Sequence, residues 1–270
     1  MKDKIKRLIP FFLAKKIRGG WQKFLGSYYK GNELFCPFCK HYFRKMLPGG
    51  FKLPIIEEKQ IIGSGYRKNC VCPRCFSTDR DRLIYLYLTK ETDIFEKKIK
   101  LLHIAPESSL KYILRNSKNI DYYTGVKYLE GFYYSPDTSI LDIENITYPD
   151  NEFDVIICNH VLEHVDNDKI AMAELYRVLK PGGWAILQVP ISNSLEKTYE
   201  NPEITDPEDR EKHFGQFDHV RLYAKDYKDR LSKAGFKVKI FSPINDKWDF
   251  DQIIKKYAIN SNENLYIAMK

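Results

Sequence analysis

The stretch Tyr148-Pro149-Asp150-Asn151-Glu152-Phe153-Asp154-Val155-Ile156-Ile157-Cys158-Asn159-His160-Val161-Leu162-Glu163-His164-Val165 decides the fold. Pro149-Asp150-Asn151 is turn chemistry. Val155, Ile156, Ile157 and Cys158 then form an uninterrupted apolar run, the pattern of a strand buried on both faces. Asn159 and His160 follow at once, so polar groups stand where that strand ends. Asp154 reads as structural and Cys158 as a buried core thiol.

The same texture extends outward. Residues 100–105 (KLLHIA), 121–126, 184–189 (WAILQV), Lys237–Phe241 and 265–268 are further strand candidates. Between them, Met172, Leu175, Tyr176 and Leu179 recur at helical spacing, and Pro181-Gly182-Gly183 is expected to stop that helix and turn into the next strand. Tyr227, Leu231 and Ala234 mark another helix, closed by Gly235. Residues 79–89 give one more, before the first strand. Alternating strands and helices predict an α/β fold, a mostly parallel sheet covered on both faces, with ligands at the carboxyl ends of the strands.

The chain has 270 residues, 43% of them hydrophobic and 30% charged, which excludes disordered and fibrous classes. Its longest uncharged run near the start, residues 8–14, is far short of the roughly 20 apolar residues a membrane span needs. Of 44 basic and 36 acidic residues, nine basic residues and one acidic residue fall within 1–30. That segment alone therefore carries the whole net charge of +8, and the other 240 residues balance at 35 of each sign. A neutral body makes nucleic acid an unlikely partner. Ile5, Leu8, Ile9, Phe12, Leu13 and Ile17 recur at helical spacing in the basic segment, with Pro10 limiting a continuous helix. Three readings follow: a helix docked on the body with solvated lysines, peripheral contact with an anionic membrane, or contact with RNA. No export signal is evident, so the chain is expected in the cytoplasm, at most peripheral at the inner membrane face.

Cys36-Pro37-Phe38-Cys39 and Cys72-Pro73-Arg74-Cys75 are two C-x-x-C knuckles, each aiming two thiolates at one point. Together they make a tetrahedral structural Zn2+ site, closed and therefore scaffolding. The 32-residue spacer carries Pro48-Gly49-Gly50 and Gly63-Ser64-Gly65 and is expected to loop out. Cys70 is a rival ligand with poorer spacing to Cys75. The organisation expected is a basic amphipathic segment at 1–30, a zinc-knuckle region with linking helix at 31–97, and an α/β domain at 98–270.

Three segments in that domain carry a resemblance: residues 148–165 quoted above, Glu174-Leu175-Tyr176-Arg177-Val178-Leu179-Lys180-Pro181-Gly182-Gly183-Trp184, and Ala234-Gly235-Phe236. In order and spacing they resemble class I S-adenosylmethionine-dependent methyltransferases of the type 11 kind. The resemblance covers roughly residues 98–270. It implies a Rossmann-like, doubly wound, mostly parallel seven-stranded sheet, and S-adenosyl-L-methionine as cofactor. By the same resemblance Asp142 stands where the family accepts from the adenine amine, and Ile143 where it packs on the ring. Asn159 and His160 stand beside the sulfonium and the acceptor, while His164 orients the loop that follows.

The first loop departs from the family. It reads His103-Ile104-Ala105-Pro106-Glu107-Ser108-Ser109, with Ala105, Glu107 and Ser109 at expected glycine positions. His103, Ala105, Pro106 and Glu107 are nonetheless its cofactor-binding candidates, as in bacterial methyltransferases with cysteine knuckles and an H-I-A-P-E loop. The ribose-binding carboxylate after the second strand is missing, Val126 or Lys127 standing there. Glu107 or Glu130 could substitute.

A long polar insertion, about 191–222, reads as a lid carrying His213, Asp218, His219 and Arg221 over the strand ends. His160 and His219 are the candidate catalytic bases. The expected reaction is methyl transfer to oxygen or nitrogen of a small-molecule acceptor, such as a saccharide or lipid-linked glycan. A non-catalytic zinc-bearing scaffold with a degenerate cofactor site, and an RNA methyltransferase, are the alternatives.

Overall fold

The computed structural model describes residues 11–127, 138–246 and 248–270, with side chains from residue 17 onward. The expectations for residues 1–10 and for Glu130 lie outside the described residues. Seven strands build the central sheet: β1 (Ile99–Ile104), β2 (Ile120–Val126), β3 (Ser139–Ile140), β4 (Phe153–Asn159), β5 (Leu179–Gln188), β6 (Lys237–Phe241) and β7 (Leu265–Met269). Their spatial order is β6-β7-β5-β4-β1-β2-β3. β7 runs antiparallel to both neighbours, and the remaining pairs are parallel. This is the doubly wound sheet expected from the alternating pattern.

The central strand β4 shows why the apolar run is continuous. Ile156 and Cys158 face one core, which the helices Asp168–Val178 and Tyr227–Lys233 cover with Met172, Leu175 and Leu231. Val155 and Ile157 face the other, closed by the helices Asp79–Lys90 and Ser108–Arg115 with Ile84, Leu88 and Leu110. Successive side chains point to opposite faces, and here both faces are interior. Asp154, at the start, accepts from the Lys100 amide at 2.8 Å and from Lys180 Nζ at 2.8 Å, the structural role expected of it.

One boundary differs from expectation. The helix ends at Val178, and Leu179 already pairs with Phe153, so β5 runs through Pro181-Gly182-Gly183 rather than starting after it. The register shift between Leu179 and Trp184 absorbs the proline, which has no N–H for the ladder. Gly235 closes Tyr227–Lys233 with φ of +110°, and a Cβ there would lie 2.9 Å from the Tyr176 ring.

The region before the sheet does not hang free. Helix Asp79–Lys90 starts with a capping box, Thr78 Oγ1 accepting from the Asp81 amide and the Asp81 carboxylate from the Thr78 amide. Its Arg82 is fully buried. The guanidinium donates to the carbonyls of Asn69, Cys70 and Ser77 on one side and Tyr257 and Ala258 on the other, at 2.6–3.2 Å. The knuckle region is thereby bonded to the segment between β6 and β7. The spacer between the knuckles is also structured: its helix Pro54–Glu58 and strand Ile61–Ile62 pack Ile56 and Ile61 against Phe214 and Leu222 of the insertion. Ile61–Ile62 pairs antiparallel with Ile191–Ser192. Spacer and insertion form one cap, so the segment that leaves the knuckles is structured while the four cysteines stay together. Two segments that each lack a core of their own bury their apolar residues against one another.

Candidate functional site

The cofactor-side candidates gather at the carboxyl ends of β1 and β4. Ala105 follows β1 with φ of +46°, its amide donating to the Gly125 carbonyl at 2.8 Å. A left-handed alanine takes the conformation that a glycine there would adopt freely. His103 is fully buried and does not reach the surface of the site. Its Nδ1 lies 2.9 Å from Tyr122 Oη and its Nε2 2.8 Å from Glu107 Oε2. Asn159 Nδ2 donates to the other Glu107 oxygen at 3.0 Å. Burial would push the Glu107 carboxyl up, but these partners prevail and hold it below its ordinary range. Its carboxylate is therefore committed inside the loop. Pro106 is half-buried between Ala105 and Glu107.

Asn159 Oδ1 is buried and has no hydrogen-bond partner, an acceptor left over at the end of the central strand. Asp142 is exposed, one carboxylate oxygen accepting from the Glu144 amide at 2.9 Å. Ile143 lies in the core beside Leu141 and Ile146.

The acceptor-side candidates surround a cavity of about 280 Å³ beside the end of β4. One wall comes from the cap and knuckle region, with Phe51, Gly63, Ser64, Thr78 and Arg80, and the other from His160, Glu163, His164, Gln216 and His219. His160 is left-handed (φ +53°), its amide donating to the Gln188 carbonyl at 2.7 Å. Its Nε2 is buried without a partner, and its Nδ1 lies 3.0 Å from Glu163 Oε1. Burial, reinforced by Arg80, keeps the ring neutral, well below the ordinary histidine range. Burial likewise pushes Glu163 up to about 8. His219 is held at about 4 by burial and by His164, whose ring centroid is 4.7 Å away. Arg80 donates to Glu263 at 2.9 Å and to the Gly63 carbonyl at 2.6 Å, so its charge is paired.

The insertion thus brings Asp218, His219 and Arg221 to the loop after β4, but not His213, and Arg221 does not line the cavity. His213 is exposed beside Tyr199. Arg221 is buried and donates to the carbonyls of Leu162, Val165 and Asp166 at 2.6–2.9 Å. Its role is to fix the loop that carries Glu163 and His164.

Cys36, Cys39, Cys72 and Cys75 offer four sulfurs within 4.8 Å of one another. Cys36 and Cys75 are 3.5 Å apart and Cys39 and Cys72 3.7 Å, close to the edge of about 3.8 Å for a tetrahedron of bonds near 2.3 Å. Both knuckles use the same turn: Lys40 and Phe76, each after the second cysteine, are left-handed and donate back to Cys36 and Cys72. The four residues fit a structural zinc ion. Cys70 is excluded from the cluster, its thiol facing Asp79 Oδ1 at 3.2 Å.

The family model described as "Methyltransferase domain" matches residues 116–187. That span runs from β2 through β5, within the seven-stranded, mostly parallel sheet that the resemblance implied. Residues 116–187 thus match a methyltransferase domain. Its relatives include the ubiquinone/menaquinone biosynthesis C-methyltransferase UbiE of Hydrogenovibrio crunogenus, 46% identical over 54 residues, 20% of this chain and 21% of that protein. UbiE of Citrobacter koseri is 32% identical over 97 residues, 35% of each chain. The matches thus span about a third or less of these curated relatives. A crystal structure of a SAM-dependent methyltransferase from Archaeoglobus fulgidus is similar with TM-score 0.43 and 15% identity, over 72% of this chain and 95% of that one.

Within the α/β domain, sequence reasoning missed Glu163 as a member of the acceptor-side cluster. A glutamate between Leu162 and His164 looks like an ordinary helix-entry residue. The available signal was its place three residues after His160, which puts both on one side of a turn. The contribution of Arg80 and Gly63 from outside the domain had no signal in the local sequence.

Proposed function

We propose that the protein transfers a methyl group from S-adenosylmethionine to an oxygen or nitrogen of a hydroxyl-rich acceptor, of which a saccharide or lipid-linked glycan is the class considered first. The observation that carries the reading is the pair of left-handed residues, Ala105 and His160, ending adjacent strands with the orphaned Asn159 Oδ1 between them. These residues fit the cofactor. Asn159 Oδ1 would accept from its ammonium group, the Ala105–Glu107 backbone would hold its methionine part, and Asp142 would accept from the adenine amine. When bound, S-adenosylmethionine supplies an electrophilic methyl on a sulfonium.

His160 Nε2, buried and unpartnered, would take the proton from the acceptor hydroxyl or amine when the methyl group is transferred to it. The cavity walls orient the acceptor and exclude water. Calorimetry with S-adenosylmethionine and S-adenosylhomocysteine tests the reading, with candidate acceptors present and absent. Asp142→Ala is expected to weaken binding about tenfold, the worth of one hydrogen bond to a charged group. His160→Gln is expected to bind normally and to lose turnover by about 100-fold. Absence of binding to the folded wild type under all conditions would favour the scaffold alternative.

The four-cysteine cluster, in the same reading, holds structural zinc. Membrane contact through the first helix, Phe11–Tyr28, is a further part of it. Ile17, Trp21, Phe24 and Tyr28 stand exposed on one side, Trp21 stacking on Phe24 and Phe24 on Tyr28 at 5.5 and 6.2 Å. Gly26, on the other side, sits against Arg74. An aromatic stripe beside Arg18 and Lys23 suits an anionic bilayer surface. Among the described residues no helix is long and apolar enough to cross a membrane. Co-sedimentation with anionic vesicles is expected to fall at least tenfold in a Trp21→Ser, Phe24→Ser double variant, and to be weak with zwitterionic vesicles. Equal sedimentation of variant and wild type would refute membrane contact.

A further inference from the structure

Glu163 is 1% exposed; its Oε1 lies 3.0 Å from His160 Nδ1, and neither carboxylate oxygen makes a well-aligned hydrogen bond. A buried carboxyl with so little hydrogen bonding is costly to keep charged unless a cation meets it. Besides His160, two further histidines, His164 and His219, approach it from different segments. One ligand atom from each of Glu163, His164 and His219 can be chosen so that all three lie within 4.8 Å of one another.

The second nitrogens explain which atoms are available. His164 Nδ1 lies 3.2 Å from the Asp218 carbonyl and 3.3 Å from its carboxylate, and His219 Nδ1 lies 3.2 Å from the Phe214 carbonyl. Carbonyl oxygens only accept, so both rings carry their proton on Nδ1 and leave a lone pair on Nε2. Histidines that ligate metals are held this way by an outer carbonyl or carboxylate. Asp218, beside His164 Nδ1, supplies an outer negative charge, and the nearby Arg80 is already paired with Glu263.

We propose that Glu163, His164 and His219 bind a divalent cation of the zinc class, at a site separate from the four cysteines. Two imidazoles and one carboxylate are the donor set of an open site, with a fourth position left for a ligand oxygen. Because His219 belongs to the insertion and the other two to the loop after β4, the ion clamps the cap onto the domain. Under the methyltransferase reading, on which this role rests, the open position takes the acceptor oxygen and eases its deprotonation.

The test is elemental analysis of the full-length protein after equilibrium dialysis against zinc. Two equivalents per chain are expected for the wild type, and one each for Glu163→Gln and His219→Gln, with circular dichroism showing both variants folded. Cobalt substitution separates the sites, since thiolate charge-transfer bands belong to the cysteine cluster alone and are expected unchanged in both variants. One equivalent in the wild type, or two in both variants, overturns the proposal. Metal content is read without turnover. A protein with two equivalents that binds no S-adenosylmethionine would keep the site and lose the methyltransferase reading, and the converse result would do the reverse.

Discussion

Arg82→Met is expected to lower the unfolding free energy by about 3–5 kcal/mol, the range for removing one partner from a buried charged network. The side chain reaches five carbonyls from two parts of the chain, and methionine fills much of its volume without donating to any. The carbonyls of Asn69, Cys70, Ser77, Tyr257 and Ala258 would then lose a donor in a place closed to water. For a domain of this size that corresponds to a fall of about 10 °C in Tm, at roughly 2–4 °C per kcal/mol. Arg82→Lys keeps the charge but not the planar fork, and should recover less than half of the loss. Thermal and urea unfolding would measure both. A change below about 1 kcal/mol for Arg82→Met would show that the two segments are held together by other contacts.

Cys72→Ser is expected to remove one zinc equivalent and to unfold the knuckle region, because a structural metal contributes folding energy directly, about 10–16 kcal/mol in isolated fingers. The expected readout is one zinc fewer per chain than the wild type, with new protease cleavage between residues 30 and 75. Thr78 and Arg80 line the acceptor-side cavity from the segment just after the second knuckle, so turnover should fall with the metal. Cys70→Ser is the control. Its thiol serves Asp79 and lies outside the cluster, so zinc content should stay unchanged. Full zinc retention in Cys72→Ser would remove that cysteine from the ligand set.

Several features were legible because they have a short period or a fixed spacing. Alternation across β4 sorts Ile156 and Cys158 from Val155 and Ile157, and both sets were visible as one apolar run. The C-x-x-C spacing anticipated two knuckles that adopt the same turn. Met172 and Leu175 lie in the core as their helical spacing required. The candidate site was legible only in part. Asn159 and His160 stand at the strand end, yet His103 turns inward to Tyr122 and Glu107, since β1 is covered on both faces and its penultimate side chain must find partners there.

The sequence alone therefore determined the layered α/β body, the order of its central strands' neighbouring helices and the four-cysteine cluster. Each of these follows from periodicity or spacing within a few residues of chain. Tertiary structure alone decided that the spacer and the insertion share a core, that Arg82 bonds Ser77 to Ala258, and that His219 faces Glu163. Those contacts join residues 56 to 176 positions apart, and depend on which apolar faces and buried polar groups remain unmatched once the sheet has formed.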